Sequence, residues 1–515
     1  MTNTEETARA REFWRTLEER AGDPAFRALL ENEFAAPVEA ETDPVARRTF
    51  LRMMGASLAL AGVTGCTRQP LEKIVPYVRQ PEEIVPGRPL FFATAMPLGG
   101  VATGLLVESH EGRPTKIEGN PRHPGSLGAT DVFAQAAILN LYDPARSQTV
   151  TNLGEIVPWS TFETAIRAEL AVRGPRRGEG LRILTESVSS PTLAAQIRNL
   201  LTRYPAAKWH QWDPMSRENA RAGAKLAFGQ YVDARLHVDR ADIVLALDSD
   251  FLASGPGCLA YARQFAQRRR LEPTNVMSRL YAVEAMPTST GARADHRLPV
   301  RPSQVEVIAR QIAAAIQSPR SQSPQPVPSP SNPTSGSPPM EPDAYGEAWV
   351  RAVTADLVGN RGRSLVIAGD TQPPRVHVLA HLMNETLDNV GHTVDYTNAA
   401  EAEPTDQLES IRSLVADMNE GHVDLLVMIG GNPVYTVPSD LNFAAALGKV
   451  ACRIHMGAYE DETSALCDWH LPESHFLEGW SDSRAYDGSV SIIQPLIAPL
   501  YSSKSPHELL IAMSD

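Results

Sequence analysis

Leu425-Leu426-Val427-Met428-Ile429-Gly430-Gly431-Asn432-Pro433-Val434-Tyr435 is the stretch on which the fold turns. Five apolar residues in a row, too few for a helix and closed by a glycine pair, read as a strand buried on both faces. Such strands belong to parallel sheets whose crossovers lay helices on both sides. The Gly430-Gly431-Asn432-Pro433 turn then falls at the carboxyl end of the strand, where a doubly wound sheet binds a phosphate; the plainer alternative is a tight strand-exit turn.

The same rhythm recurs on either side. Apolar cores at 365–368 and 452–455 flank this strand, and an earlier set lies at 181–185, 243–247 and 280–283, with helical patterns at 193–201 and 261–270 between them. The fold class is therefore α/β, with two doubly wound parallel-sheet domains at 151–317 and 343–515. Between them residues 318–342 hold 9 prolines and 7 serines in 25 positions, too little apolar material for a core. Residues 91–150 read as a small β-rich domain, with strands at 104–108 and 115–118 around a turn at 110–114. The closing residues, 509–515, look like a helix just begun, which suggests a fragment or one half of a split protein.

Composition narrows the function. The chain has 515 residues, 48 basic and 61 acidic, a formal net charge of −13 with no basic face for a nucleic acid. No apolar run approaches the roughly 20 residues of a membrane-spanning helix. Its 4 cysteines, Cys66, Cys258, Cys452 and Cys467, form no CxxC pair and cannot hold a row of iron–sulfur clusters. Cys258 and Cys452 read as small buried hydrophobes. Cys467, His470 and His475 have a zinc-like spacing one ligand short of a site. His110 and His123 sit in a turn and a motif without catalytic spacing. Arg268-Arg269-Arg270 reads as a solvated helix end or a partner contact. No nucleophile elbow, Walker A loop or H-E-x-x-H site occurs.

Residues 1–66 read as an address. Arg47-Arg48 followed by a weakly apolar run and Val63-Thr64-Gly65-Cys66 has the order of a twin-arginine export signal (46–66) ending in a lipoprotein box. The expectation is export in the folded state, lipidation at Cys66 and residence on the periplasmic side of the cytoplasmic membrane. Before the signal, residues 1–45 read as a helical cytoplasmic prefix with Phe13, Trp14 and Leu17 on one face. After it, 67–90 form a proline-rich extended tether.

The run Gly112-Arg113-Pro114-Thr115-Lys116-Ile117-Glu118-Gly119-Asn120-Pro121-Arg122-His123-Pro124, with Ile138-Leu139-Asn140-Leu141-Tyr142-Asp143-Pro144, resembles the N-terminal region of molybdopterin oxidoreductases. The opening stretch, with Asp461-Glu462-Thr463, Asp468-Trp469-His470-Leu471-Pro472 and Gly479-Trp480-Ser481-Asp482, resembles the same family through most of residues 90–515. With the prefix before the twin arginine, the chain looks most like the N-terminal half of the B subunit of alternative complex III, a bacterial quinol oxidoreductase. The resemblance implies partners: an iron–sulfur ferredoxin-like module, a multihaem cytochrome c and integral quinol-binding subunits. It also implies where a [4Fe–4S] cluster would be ligated, and those four places hold Met96, Gly99, Thr103 and Asp131, none a thiolate. The expectation is an exported scaffold subunit without cofactors of its own, not catalytic alone. The alternative is a catalytic molybdopterin oxidoreductase holding molybdenum through Ser216 and molybdopterin guanine dinucleotide at Gly430, Gly431 and Asn432.

Overall fold

The chain divides into two units, residues 1–80 and 81–515. The computed structural model describes residues 84–85, 87–270, 277–318 and 342–514, all in the second. The expected prefix, export signal, Arg47, Arg48, Cys66, most of the tether and the Pro/Ser-rich segment at 319–341 lie outside the described residues.

The first described strands, β1 (Leu90–Leu98), β2 (Val101–His110) and β3 (Arg113–Gly119), form an antiparallel meander. Left-handed residues, Gly99-Gly100 and Glu111-Gly112, make its two turns. The helix Val132–Leu141 lies on it and closes a small core of Met96, Leu105, Val107 and Ile117 against Ala134, Ala137 and Leu141. The four cluster positions have ordinary structural work here. Met96 fills this core and pairs in register with Thr103, Gly99 turns the hairpin, and Asp131 caps the helix by accepting from Ala134 N at 2.8 Å. His123 packs so closely on Gly104 that a Cβ there would lie 2.1 Å from the ring. Its Nε2 meets Ser491 Oγ at 3.0 Å, tying this meander to the C-terminal part of the chain.

Along the chain follow β4 (Thr151–Asn152), β5 (Glu155–Ile156), β6 (Leu181–Thr185), β7 (Lys208–Gln211) and β8 (Val232–Leu236). Then come β9 (Ile243–Leu247), β10 (Arg279–Glu284), β11 (His296–Pro299), β12 (Ser364–Ala368) and β13 (Val394–Asn398). The last are β14 (Leu425–Ile429), β15 (Cys452–Gly457), β16 (Trp469–Pro472), β17 (Ser481–Arg484) and β18 (Val490–Ile493).

One large sheet has the order β5-β4-β16-β15-β14-β6-β7 and is parallel from β16 to β7. Its central strand β14 is apolar throughout because both faces are covered. Leu181, Ile183, Leu425, Val427 and Ile429 pack with Phe162, Ile166, Ile197, Leu200, Leu509 and Leu510 from the helices Trp159–Arg173, Pro191–Arg203 and Pro506–Ser514. Leu184, Leu426 and Met428 pack on the other side with Ile411, Leu414, Phe443 and Leu447. A second parallel sheet, β11-β10-β9-β12, is sandwiched in the same way, with Leu245 and Val283 to one side and Val244 and Leu280 to the other.

Both sheets draw strands from either side of residues 318–342. β14, β15 and β16 complete the sheet begun by β6 and β7, and β12 completes the one begun by β9. Residues 151–317 and 343–515 therefore do not each own a sheet. Parallel pairing is non-local, and the periodicity of a buried strand carries no record of its neighbour. A second correction concerns the arginine run. Arg268 is bonded to Asp242, and Arg269 grips Asp295 through two nitrogens at 2.7 and 2.8 Å and also donates to Ser278 O. These side chains clamp the helix end to the entry of the second sheet, so the run is not a freely solvated end.

Candidate functional site at a strand-order reversal

β6 and β14 lie side by side, yet the chain leaves them in opposite directions. From β6 it crosses to β7 on one flank, and from β14 to β15 and β16 on the other. Crevices open at such reversals because the two crossovers diverge. One does here, an open crevice lined by Thr185 at the end of β6 and Glu186 just after it, Trp212 and Pro214 after β7, and Gly430, Gly431, Asn432 and Pro433 after β14.

The β14 exit explains its glycines. Gly430 and Gly431 both hold left-handed backbone, φ 71° and 67°, which a side chain would strain. Gly430 N donates to Met456 O at 2.8 Å, and buried His455 donates from Nε2 to Gly431 O at 3.0 Å. Asn432 locks the neighbouring loop, its Nδ2 donating to Glu462 Oε2 at 2.6 Å and its Oδ1 accepting from Thr463 Oγ1 at 2.7 Å. The Gly-Gly-Asn-Pro and Asp-Glu-Thr segments, distant in sequence, are thus one hydrogen-bonded unit.

The opposite wall is acidic. Glu186 is exposed to water within the crevice. Its Oε2 lies 3.1 Å from where a Cβ on Gly430 would be, so the carboxyl rests against the glycine turn. Surrounding protein, and then the charge of Asp213, push the Glu186 carboxyl up to about 7. Glu473, just beyond β16, is pushed up to about 8 by burial and by Glu186, against the pull of Arg146. Arg146 itself is committed elsewhere, in a fully enclosed pair with Glu478 at 2.7 Å, and it also donates to Leu141 O at 3.0 Å. Behind the crevice His455 and His470 stack with centroids 5.4 Å apart, and His470 meets Ser147 Oγ at 2.6 Å. Burial, with the neighbouring His455, lowers His470 to about 4, and burial lowers His455 as well, so both rings are neutral near pH 7.

Of the residues singled out in the sequence, Gly430, Gly431 and Asn432 line the crevice. Ser216 is half-buried on the loop leaving β7, two residues beyond Pro214. Cys467, His470 and His475 do not converge. His470 faces Ser147, Cys467 packs beside the Leu426 and Met428 core, and His475 Nδ1 accepts from Leu477 N. Among the described residues no three His, Cys, Asp or Glu side chains are arranged to hold a metal ion. Cys452 and Cys467 are half-buried, and burial raises their thiols to about 11 and about 12, so neither is a reactive thiolate. Sequence reading missed Glu186, Trp212, Asp213 and Glu473. The signal available was position alone, since each follows the end of a parallel strand.

The fold defines the class: this is a molybdopterin-oxidoreductase-like chain. It is similar to acetylene hydratase from Pelobacter acetylenicus, with a TM-score of 0.57 and 11% identity over 82% of this chain and 69% of that one. Among curated proteins it is similar to the menaquinone reductase, molybdopterin-binding-like subunit of Nitratidesulfovibrio vulgaris, 23% identical over 91% of this chain and 71% of the relative. No family model matches.

These likenesses correct one expectation. A chain without cofactors of its own was anticipated from Met96, Gly99, Thr103 and Asp131, but the fold is shared with acetylene hydratase and a crevice opens at the strand-order reversal, so the missing thiolates do not establish a cofactor-free chain. The glycine turn there has the geometry for close approach of a bound group. Paired left-handed glycines leave the backbone bare for close approach, and Glu186, titrating near 7, can meet a ligand as a neutral hydrogen-bond donor or as an acceptor. Gly430, Gly431, Glu186 and Trp212 would hold such a group. The thiolate deficit bears on an iron–sulfur cluster and not on this crevice.

Proposed function

We propose that the chain is the molybdopterin-oxidoreductase-like subunit of a quinone-linked respiratory oxidoreductase, of the alternative complex III kind. It would be exported by the twin-arginine route and held at the periplasmic face of the membrane by a lipid on Cys66. The observation that carries this reading is likeness along 91% of the chain to a subunit named for menaquinone reductase. The spread of that likeness favours a whole subunit role over one borrowed motif. In this reading quinone chemistry takes place in integral partners, electrons pass through an iron–sulfur module toward haem c, and this chain contributes its crevice and its surfaces.

The test is purification of the native protein from gently solubilised membranes. Integral quinone-reactive subunits, an iron–sulfur subunit and haem c should accompany the chain in fixed ratio, and its first residue should be an acylated Cys66. Recovery as a lone lipoprotein, in a strain whose quinone turnover survives deletion of the gene, would sink the reading.

A second reading is favoured by the place of Ser216 on the loop beside Pro214. Here the chain binds molybdenum itself through Ser216 and is catalytic. Metal analysis of wild type and Ser216→Ala decides it, because unchanged molybdenum content and activity in the variant would exclude a ligand role.

A further inference from the structure

Among the described residues three imidazole Nε2 atoms lie within hydrogen-bond reach of a serine hydroxyl, and the partner of the other ring nitrogen sorts them. His123 Nδ1 accepts from Gly125 N at 3.1 Å, so Nε2 carries the proton, donates to Ser491 Oγ and cannot serve that hydroxyl as a base. His470 meets Ser147, but both side chains are buried, and His470 Nδ1 has no partner to fix its tautomer. His507 differs from both. Its Nδ1 lies 2.7 Å from Gln196 Oε1, an oxygen that only accepts, so the proton sits on Nδ1 and Nε2 keeps its lone pair. Ser481 Oγ lies 2.8 Å from that nitrogen and 3.4 Å from Asp482 O, so the hydroxyl donates to the imidazole.

The large sheet's helices hold this chain of groups together. Gln196 stands on the helix Pro191–Arg203, which sends Ile197 and Leu200 into the core. His507 opens the helix Pro506–Ser514, which sends Leu509 and Leu510 into the same core, and Ser481 begins β17. All three residues are half-buried, held in place yet within reach of a solute. Two carboxylates face the ring, Asp482 from β17 and Glu508 from the ring's own helix. Burial would raise Asp482, but hydrogen bonds from Ser190 and from Thr192 outweigh it and hold the group below its ordinary range. Glu508 is occupied by Lys504 Nζ at 2.9 Å. Burial lowers His507 against the pull of both carboxylates, so the ring is neutral near pH 7 and able to take a proton.

A hydroxyl bonded to an imidazole that a third group orients is the arrangement of serine acyl transfer. We propose that Ser481, with His507 as its general base and Gln196 positioning the imidazole, is a nucleophile toward carboxylic esters with small acyl groups. The activity is separate from the crevice at the strand-order reversal and does not depend on the subunit reading. Ser481 Oγ bonds to the acyl carbon as its proton passes to His507 Nε2. The bond from that carbon to the alcohol oxygen breaks, and the alcohol leaves with the proton. Water, deprotonated by the same imidazole, then releases the carboxylic acid and restores the serine, with nothing oxidised or reduced.

The test uses the purified full chain and two probes, an alkyl fluorophosphonate and p-nitrophenyl acetate. The first exchanges its phosphorus–fluorine bond for one to Ser481 Oγ, and peptide mass spectrometry should place the adduct there, absent when the chain is unfolded in urea. Hydrolysis of the second should fall to background in Ser481→Ala, and about 100-fold in His507→Gln, which can hydrogen-bond but takes no proton. The wild-type rate should rise as pH passes a midpoint below the usual imidazole value and stay level above it. Gln196→Glu keeps an acceptor and adds a negative charge, so it should move that midpoint upward, whereas a residue that only packs would leave it in place. No adduct on wild-type Ser481 overturns the proposal, and so does ester hydrolysis that survives Ser481→Ala. A rate indifferent to pH between about 4 and about 8 overturns it equally, with no variant needed.

Discussion

Two glutamates close together behave in opposite ways, and pH separates them. The Glu473 carboxyl is raised to about 8 by burial and by Glu186, so the folded chain holds that proton more tightly than the unfolded one does. Its contribution to stability therefore falls as pH climbs from the ordinary carboxylate range toward about 8. Glu473→Gln fixes the neutral form, and its urea midpoint should gain on wild type between about pH 5 and about pH 9; an offset independent of pH would refute the assignment. For Glu478 burial is the largest influence and would raise the carboxyl. Hydrogen bonds from Arg146 and from the backbone of Leu500 and His475 outweigh it and hold the group below its ordinary value. That contribution is present above the ordinary carboxylate range and is lost as pH falls through the lowered value. Arg146→Met leaves a buried carboxylate without its partner and should cost about 3–5 kcal/mol in chemical unfolding at neutral pH. A loss within the range of ordinary surface substitutions would show the pair to be dispensable.

At the scale of elements, short, mostly apolar runs were legible because strands covered on both faces need no polar alternation, and β6, β9 and β14 coincide with the stretches at 181–185, 243–247 and 425–429. β8 and β13 escaped notice because their residues are mostly half-buried and polar and pair only with each other. The apolar run near the end of the chain is a docked helix, Pro506–Ser514, with Leu509, Leu510 and Met513 in the core beneath β6 and β14. Leu510 is fully buried, so Leu510→Ala should cost about 2–5 kcal/mol, read from unfolding midpoints. An effect near zero would mean that this helix adds little to the large sheet.

For the whole molecule, interleaving of the sheets has a direct consequence. A fragment of residues 84–318 contains β6 and β7 without β14, β15 and β16, and contains β9 without β12. It should lack a cooperative unfolding transition alone, and co-expression with residues 342–515 should restore one. A cooperative melt of the first fragment alone would show that 151–317 is an independent domain after all. The crevice depends on the same interleaving, since its two principal walls follow β6 and β14, more than 240 residues apart along the chain.

By itself the sequence determined the α/β class, the buried strands and the glycine pair at the β14 exit, because burial on both faces and left-handed backbone restrict which residues can stand there. The family resemblance was legible in the same segments. Tertiary structure decided which strand lies beside which, and so placed Glu186 against Gly430 and Glu473 within reach of Glu186. It also turned Arg268 and Arg269 into a clamp. The physical reason is the same throughout: pairing between parallel strands, and the field at a carboxyl, are set by neighbours in space that local sequence does not encode.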